Sequence, residues 1–207
     1  ISGITVISLL GIGAASQTGI TDPAKNNLPN PNPIVKKSWG PLPEGRKWGS
    51  TAGIDIGPDG NIWAYDRCGA GGAAYALADG CNTSSVAPIL KFNRSTGKVL
   101  ASFGEGIFVL PHGLHVDQEG NIWVTDSQGN KEKTKGHQVI KFSPDGEVLM
   151  KLGKAGIAKD GPDTFNKPCD VITAPNGDIF VADGHDGQKD NPPPGSTGRI
   201  MKFTKEG

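Results

Sequence analysis

Short segments of alternating apolar and polar residues, separated by glycine-containing turns, recur along this chain. Three of them are closely alike: Ile62-Trp-Ala-Tyr-Asp66, Ile122-Trp-Val-Thr-Asp126 and Ile179-Phe-Val-Ala-Asp183. Alternation with a period of two is typical of β-strands. An Asp-Gly or Glu-Gly pair just before such a segment predicts a tight hairpin, because glycine supplies the positive φ that the turn needs. The pattern therefore predicts an all-β protein of short strands.

The segments belong to an internal repeat of almost constant length. Its copies begin at Gly53, Gly113 and Asp170, so the period is 60 residues (113 − 53) and then 57 residues (170 − 113). In each copy a loop leads to a strand containing Lys-Phe and then to a further turn, and in the first two copies a fourth strand follows that turn. Four antiparallel strands per repeat are typical of one blade of a β-propeller. We expect blades near residues 50–105, 110–155 and 166–207, within a partial propeller over 39–207.

Three blades are too few to close a propeller. Known propellers contain roughly four to eight blades, and each blade needs neighbours to bury its faces. The chain also starts with Ile1 instead of methionine. We expect these 207 residues to be part of a longer protein.

Charge and composition narrow the classes of partner. The chain has 21 basic and 21 acidic side chains, so its formal net charge is zero. A balanced charge does not favour a polyanion, and we expect no nucleic-acid partner. The 31 glycines and 16 prolines fall largely between the predicted strands, as expected for a protein rich in turns.

The first residues have the composition of an export signal. Residues 1–16 are apolar and uncharged, too few to span a bilayer, and they end in Ala14-Ala15-Ser16, where a signal peptidase could cut. We expect a truncated signal peptide, with a buried strand or an N-terminal anchor as the alternative. Residues 17–38 are rich in Asn and Pro and predict an extended leader. The protein would then be secreted or periplasmic, with no stable membrane span after signal removal.

Cysteine usage is compatible with export. Cys68 and Cys81 lie in one glycine-rich insertion, where an oxidising compartment would permit a disulfide between them; two unpaired thiols are the alternative. Cys169 would then remain as a small buried side chain.

Strand polarity predicts which side chains share one mouth of the propeller. The start of strand one and the end of strand two lie at the same end of an antiparallel blade. Arg67 follows strand two of the first repeat, His112 precedes strand one of the second, and His185 follows strand two of the third. We expect all three at one mouth, where propellers commonly bind ligands. His115 should instead face a neighbouring blade, and His137 ends a polar loop that predicts a solvated surface.

These three side chains allow both functional and purely structural roles. A histidine at the mouth can be a metal ligand or can bond to nearby backbone. An arginine there can bind a carboxylate through two parallel hydrogen bonds, or it can pair with an aspartate of its own chain. The residues alone leave these alternatives open.

The segment Leu110-Pro-His-Gly-Leu-His-Val-Asp-Gln-Glu-Gly-Asn-Ile-Trp-Val-Thr-Asp126 resembles the second-blade signature of the peptidyl-α-hydroxyglycine α-amidating lyases. The Asp66-Arg67 pair and Phe180-Val-Ala-Asp-Gly184 resemble parts of the blades on either side. The resemblance covers about residues 39–207, the N-terminal half of such a domain. It implies a six-bladed propeller of NHL-type repeats, of which about three are present here.

The resemblance also implies a reaction and its cofactors. This family cleaves a peptide ending in α-hydroxyglycine to a peptide amide and glyoxylate, using zinc, so a peptide or small-molecule substrate with a carboxylate is implied. His112 resembles a zinc ligand, and Arg67 resembles the arginine that holds the carboxylate. The backbone carbonyls of Ile54 and Leu114 resemble those that bind a structural calcium. His185 stands where the family has a tyrosine base; it could replace that base, add a metal ligand, or mark loss of the chemistry.

Two other functions remain open at the sequence level. One is a non-catalytic NHL propeller that binds a peptide or a carbohydrate. The other is a calcium-dependent enzyme resembling a lactone hydrolase, which would need a set of carboxylate and amide side chains on one rim. Fold alone does not choose among these functions.

Overall fold

The computed structural model describes residues 39–70, 80–188, 190–192 and 194–207. The predicted signal peptide (1–16) and the predicted leader (17–38) lie outside these residues. The described chain is built from β-strands joined by turns and loops, with a single 3-10 helix at His185–Gln188. Within the described ranges, no helix is long and apolar enough to cross a membrane.

Three antiparallel sheets follow one another along the chain, each with its strands in sequence order. The first contains β1 (Thr51–Ile56), β2 (Ile62–Asp66), β3 (Ile89–Phe92) and β4 (Val99–Phe103). The second contains β5 (Pro111–Val116), β6 (Ile122–Asp126), β7 (Gln138–Phe142) and β8 (Val148–Leu152). The third contains β9 (Pro168–Thr173), β10 (Ile179–Asp183) and β11 (Arg199–Phe203).

The hairpin predicted inside each repeat is confirmed. Gly60, Gly120 and Gly177 occupy equivalent turns between the first two strands of each sheet, with φ values of 76°, 86° and 88°. This left-handed backbone favours glycine, which is the physical reason for the recurring X-Gly pair before each strand two.

Neighbouring sheets bury their facing sides against each other. One apolar cluster, which includes Trp63, Phe103, Leu114 and Phe142, lies between the first and second sheets. A second cluster lies between the second and third sheets and includes Trp123, Val171 and Val181. Each sheet therefore depends on its neighbour to bury apolar surface, as blades of a propeller do.

A lysine of strand three lies over the aromatic ring of strand two in every sheet. The Nζ atoms of Lys91, Lys141 and Lys202 lie 5.2, 5.1 and 5.9 Å from the ring centroids of Trp63, Trp123 and Phe180, respectively. Cation–π contacts of this kind are favourable within about 6 Å. The contact accounts for two repeated features of the sequence, the Trp or Phe of strand two and the Lys before Phe in strand three. The predicted class, a partial β-propeller of consecutive antiparallel blades, is confirmed.

The predicted disulfide is present. Cys68 and Cys81 are bonded, with their Cα atoms 5.4 Å apart. The backbone N–H of Cys81 also donates a hydrogen bond to the carbonyl of Val109 at 2.8 Å. The disulfide and this hydrogen bond together connect the turn after β2 to the segment that leads into β5.

We expect the double variant Cys68→Ala/Cys81→Ala to be less stable than the wild type by about 3 kcal/mol, the usual effect of a cross-link that closes a loop of this size. Urea unfolding of both proteins under oxidising conditions measures the difference. Cys169→Ala, which removes the free thiol, is the matched control and should change the unfolding midpoint much less. Equal stabilities of the wild type and the double variant would contradict the prediction.

Candidate functional site

A buried aspartate ends strand two of every blade and holds the chain that enters strand one. Asp66 accepts a hydrogen bond from the Gly49 N–H at 2.7 Å, and Asp183 accepts one from the Asn166 N–H at 2.8 Å. Both carboxylates are almost fully buried. The repeated aspartate in the sequence thus has a structural role that the sequence analysis did not identify.

In the second blade, the same aspartate fixes the segment that carries His112. Asp126 is 1% exposed and accepts hydrogen bonds from the backbone N–H groups of Val109 (2.9 Å) and Leu110 (2.6 Å). Burial raises the pKa of Asp126 to about 7, while hydrogen bonds from backbone N–H groups oppose that rise. The residues just before Pro111 and His112 are therefore anchored to the end of β6.

His112 is oriented by a carbonyl of the next blade. Its Nδ1 atom lies 2.8 Å from the carbonyl oxygen of Cys169. Because a carbonyl only accepts, Nδ1 must carry the hydrogen in this contact, and Nε2 of the neutral ring carries the lone pair. Burial lowers the pKa of His112, and the nearby His185 and Arg67 lower it further, although the bond to Cys169 opposes this. A neutral imidazole held in this way is typical of metal-ligating histidines.

The close approach that makes this bond possible occurs at Gly113. A Cβ atom at that position would lie 2.6 Å from the Cys169 carbonyl oxygen and 2.7 Å from the Asp170 Cα. Since Cβ atoms essentially never come so close to backbone, only glycine lets β5 and β9 pack at this distance. The glycine of the Pro-His-Gly segment is therefore required by the packing of the two blades, apart from any functional role of the histidine.

His185 lies beside His112, as the strand polarity predicted. The two ring centroids are 4.9 Å apart, and the rings are nearly perpendicular at 83°. Lys167 holds the turn that carries His185: its carbonyl accepts hydrogen bonds from the N–H groups of Gly184 and His185, both at 3.2 Å. The Lys167 ammonium also pairs with Asp186, the residue after His185. Lys167 was not identified from the sequence.

Arg67 reaches the same end of the molecule from the first blade. It is buried, and its Nε–H donates to the carbonyl of Pro111 at 2.9 Å, the residue before His112. The neighbouring Asp66 pairs with Arg46 at 3.1 Å. The structure thus brings together the three side chains that the sequence placed at one mouth: Arg67, His112 and His185.

The two residues expected to offer carbonyls to calcium lie on adjacent inner strands. Ile54 is in β1 opposite Ala64, and Leu114 is in β5 opposite Val124. A Cβ atom at Gly53 would lie 2.6 Å from the Leu114 Cβ atom, so the two strands are in close contact there. The binding of calcium at these carbonyls stays a prediction.

The other two histidines give one confirmation and one correction. His115 faces the neighbouring blades as expected, with Nδ1 3.2 Å from Asp55 Oδ2 and Nε2 2.9 Å from Thr173 Oγ1. The prediction of a solvated His137 is wrong, because that residue is 6% exposed. Its Nδ1 accepts a hydrogen bond from the Lys167 N–H at 3.3 Å, and burial lowers its pKa to about 4.

The expectation for Cys169 needs refinement. The thiol is free and only half-buried, and it donates a hydrogen bond to the Lys167 carbonyl at 3.4 Å. Burial raises its pKa. The contribution of this residue to the mouth comes from its backbone carbonyl, which bonds His112.

The fold and this mouth define a class: a β-propeller with two imidazoles and a guanidinium converging at one end. No family model matches the chain. It is 38% identical over 122 residues to peptidyl-α-hydroxyglycine α-amidating lyase 1 of Drosophila melanogaster, a match covering 58% of this chain and 19% of that protein. It is 31% identical over 169 residues to a probable lyase of the same name, pgal-1 of Caenorhabditis elegans, covering 77% of this chain and 42% of that protein.

A third relative carries a different name. Peptidyl-glycine α-amidating monooxygenase B of Xenopus laevis is 38% identical over 121 residues, which are 58% of this chain and 12% of that protein. The chain therefore spans less than half the length of each of these relatives. The resemblance to the amidating lyases that the sequence indicated is confirmed.

Two solved propeller-type structures show a distant likeness. Virginiamycin B lyase from Staphylococcus aureus gives a TM-score of 0.41 at 16% identity, covering 74% of this chain and 41% of that one. A gluconolactonase from Xanthomonas campestris gives a TM-score of 0.41 at 18% identity, covering 66% of this chain and 36% of that one. These likenesses are too distant to carry a functional comparison.

Proposed function

We propose that this chain is part of a peptidyl-α-hydroxyglycine α-amidating lyase, which converts a peptide ending in α-hydroxyglycine to a peptide amide and glyoxylate. The similarity to relatives that carry this name supports the proposal. One structural observation carries it: the bond from His112 to the Cys169 carbonyl leaves the Nε2 lone pair of His112 available, next to His185 and in the electrostatic range of Arg67.

A zinc ion would fit His112 but needs more ligands than the described residues supply. The orientation of His112, whose Nδ1 is bonded to the Cys169 carbonyl, suits a metal ligand. In the part of the chain that the structure describes, however, no group of three or more His, Cys, Asp or Glu side chains could hold a metal ion, and zinc takes at least three protein ligands. We therefore propose that His112 supplies one ligand and that residues outside the described ranges supply the others. When bound, zinc would polarise the substrate hydroxyl.

The other side chains at the mouth would bind the substrate and accept its proton. In the proposal, Arg67 binds the substrate carboxylate, which places the hydroxyl-bearing carbon near the two imidazoles. His185 accepts the hydroxyl proton, as an imidazole can near neutral pH. The carbon–nitrogen bond then breaks, the hydroxyl oxygen becomes the aldehyde oxygen of glyoxylate, and the amide nitrogen takes up a proton. The base would thus be a histidine where the family has a tyrosine.

Further parts of the proposal concern the structural ion and the compartment. The backbone carbonyls of Ile54 and Leu114 would bind calcium, since that ion prefers oxygen ligands. The disulfide between Cys68 and Cys81 is typical of an oxidising environment. We propose that the protein acts in the periplasm or outside the cell.

Glyoxylate release tests this function. The full-length protein should form glyoxylate and a peptide amide, in equal amounts, from a peptide ending in α-hydroxyglycine. Replacing Arg67 with Ala should raise the KM for this substrate by at least about tenfold, because a charged hydrogen bond contributes roughly 1.5 to 3 kcal/mol. Arg94→Ala, which removes an exposed arginine, is the matched control and should leave KM unchanged. Absence of glyoxylate, or an unchanged KM in Arg67→Ala, would contradict the proposal.

A further inference from the structure

The hydroxyl of Thr125 forms two hydrogen bonds next to His112. Thr125 lies in β6 and is fully buried. Its Oγ1 accepts a hydrogen bond from the Gly113 N–H at 2.7 Å and donates one to the Cys169 carbonyl at 3.2 Å. The Cys169 carbonyl is the same one that bonds His112 Nδ1 at 2.8 Å. One carbonyl of the third blade therefore accepts from two side chains of the second.

The directions of these bonds follow from the donors available. The Gly113 N–H can only donate, so Thr125 Oγ1 must accept there, and its single hydrogen is left for the Cys169 carbonyl. That carbonyl can only accept, so His112 carries its hydrogen on Nδ1. The Thr125 hydroxyl thus binds two groups next to His112. One is the Gly113 N–H, which directly follows His112 in the chain, and the other is the Cys169 carbonyl, which accepts the hydrogen bond from the His112 ring.

The repeat itself does not need a threonine at this position. Tyr65 and Ala182 occupy the equivalent positions in the first and third repeats, and both blades form the same first hairpin as the second. Ala182 has no hydroxyl, and the buried Tyr65 hydroxyl has no hydrogen-bond partner among the described residues, so of these three equivalent side chains only that of Thr125 forms hydrogen bonds. This asymmetry favours a role in the site over a role in blade folding.

We propose that Thr125 is a positioning residue for His112. By fixing both the Gly113 N–H and the Cys169 carbonyl, its hydroxyl keeps the imidazole in the tautomer with hydrogen on Nδ1 and the lone pair on Nε2. The inference deepens the proposed function, since it concerns the orientation of the proposed zinc ligand. The orientation itself is a property of this chain without metal or substrate, so it can be tested separately.

The test is the ring tautomer of His112, read from its nitrogen chemical shifts in the metal-free full-length protein. The wild type should show hydrogen predominantly on Nδ1. Thr125→Val, which has the same shape but no hydroxyl, leaves the buried Gly113 N–H without this acceptor, and the tautomer with hydrogen on Nε2 should become populated. Zinc affinity should fall by roughly tenfold, as is usual when an outer contact of a metal-ligating histidine is lost. Thr125→Ser keeps the hydroxyl and should restore the wild-type tautomer.

The matched control is Thr164→Val. Thr164 is also buried and also donates its hydroxyl to a backbone carbonyl, that of Lys159 at 2.9 Å, but it makes no contact with His112. This variant should leave the His112 tautomer unchanged. The proposal is overturned by a wild-type ring with hydrogen on Nε2, by a Thr125→Val protein with the wild-type tautomer, or by a Thr125→Ser protein with a changed one. The first and last of these results do not depend on whether Thr125→Val folds.

Discussion

Replacing His112 with Ala should lower glyoxylate release by at least roughly 100-fold in the full-length protein, and should lower its zinc content. Loss of an outer contact of a metal ligand costs roughly 10- to 100-fold in affinity or activity, so loss of the ligand itself should cost at least as much. The substitution removes an imidazole whose Nδ1 is bonded to a backbone carbonyl and which contacts a second imidazole. Initial rates and metal analysis of the purified variant measure both effects.

His115→Gln is the matched control for this substitution. His115 lies three residues further along the same strand, but its ring bonds Asp55 and Thr173 between the blades. Glutamine can keep hydrogen bonds with both partners. The control should retain zinc and activity, although its thermal stability can fall. Full activity and full zinc content in His112→Ala would refute the assigned role of this residue.

Asp126→Ala should destabilise the protein by about 3 kcal/mol or more and should also reduce activity. The substitution leaves the N–H groups of Val109 and Leu110 without their acceptor, and each buried donor left unpaired costs roughly 1 to 3 kcal/mol. The same change releases the segment that leads into Pro111 and His112. Denaturant unfolding and initial rates measure the two effects.

The pH dependence of stability provides a second measurement on Asp126. Burial raises the pKa of this carboxyl group to about 7 in the folded protein, whereas an unfolded aspartate titrates near about 4. The folded state thus binds the Asp126 proton more tightly than the unfolded state does. Protonation of Asp126 therefore adds to the free energy of unfolding. This contribution is fully present below about pH 4 and is lost as the pH rises through about 7. Asp126→Asn cannot titrate, so the stability difference between wild type and variant should shift in favour of the variant over this range.

An exposed aspartate provides the control for both measurements. Asp163 pairs with Lys154 at the surface, and Asp163→Ala should have a far smaller effect on unfolding than Asp126→Ala, because exposed ion pairs contribute little. Comparable losses in the two variants would show that Asp126 does not anchor the segment before His112.

Much of the blade architecture could be predicted because local sequence patterns determine the strands and turns. The alternation around Trp63 and Trp123 gives the strands, and the glycine before each gives the turn. Strand polarity then places Arg67 and His112 at one end without any knowledge of side-chain packing. These predictions needed only distances along the chain and the pleat of a strand.

What could not be predicted depends on contacts between residues far apart in sequence. His137 follows a polar, lysine-rich loop, yet its ring is buried because it packs against Gly129 and accepts a bond from the Lys167 backbone 30 residues away. The shared Cys169 carbonyl joins two blades in the same way, since it lies 57 residues from His112 and 44 residues from Thr125. Periodicity carries no information about such pairings.

A crystal structure of the full-length protein, with diffraction data collected at the zinc absorption edge, tests the central claim most directly. The account predicts an anomalous peak about 2.0 to 2.1 Å from His112 Nε2, with Arg67 and His185 at the same mouth and His112 Nδ1 still bonded to the Cys169 carbonyl. A zinc peak at a site remote from His112, or Arg67 and His112 at opposite ends of the blades, would contradict it.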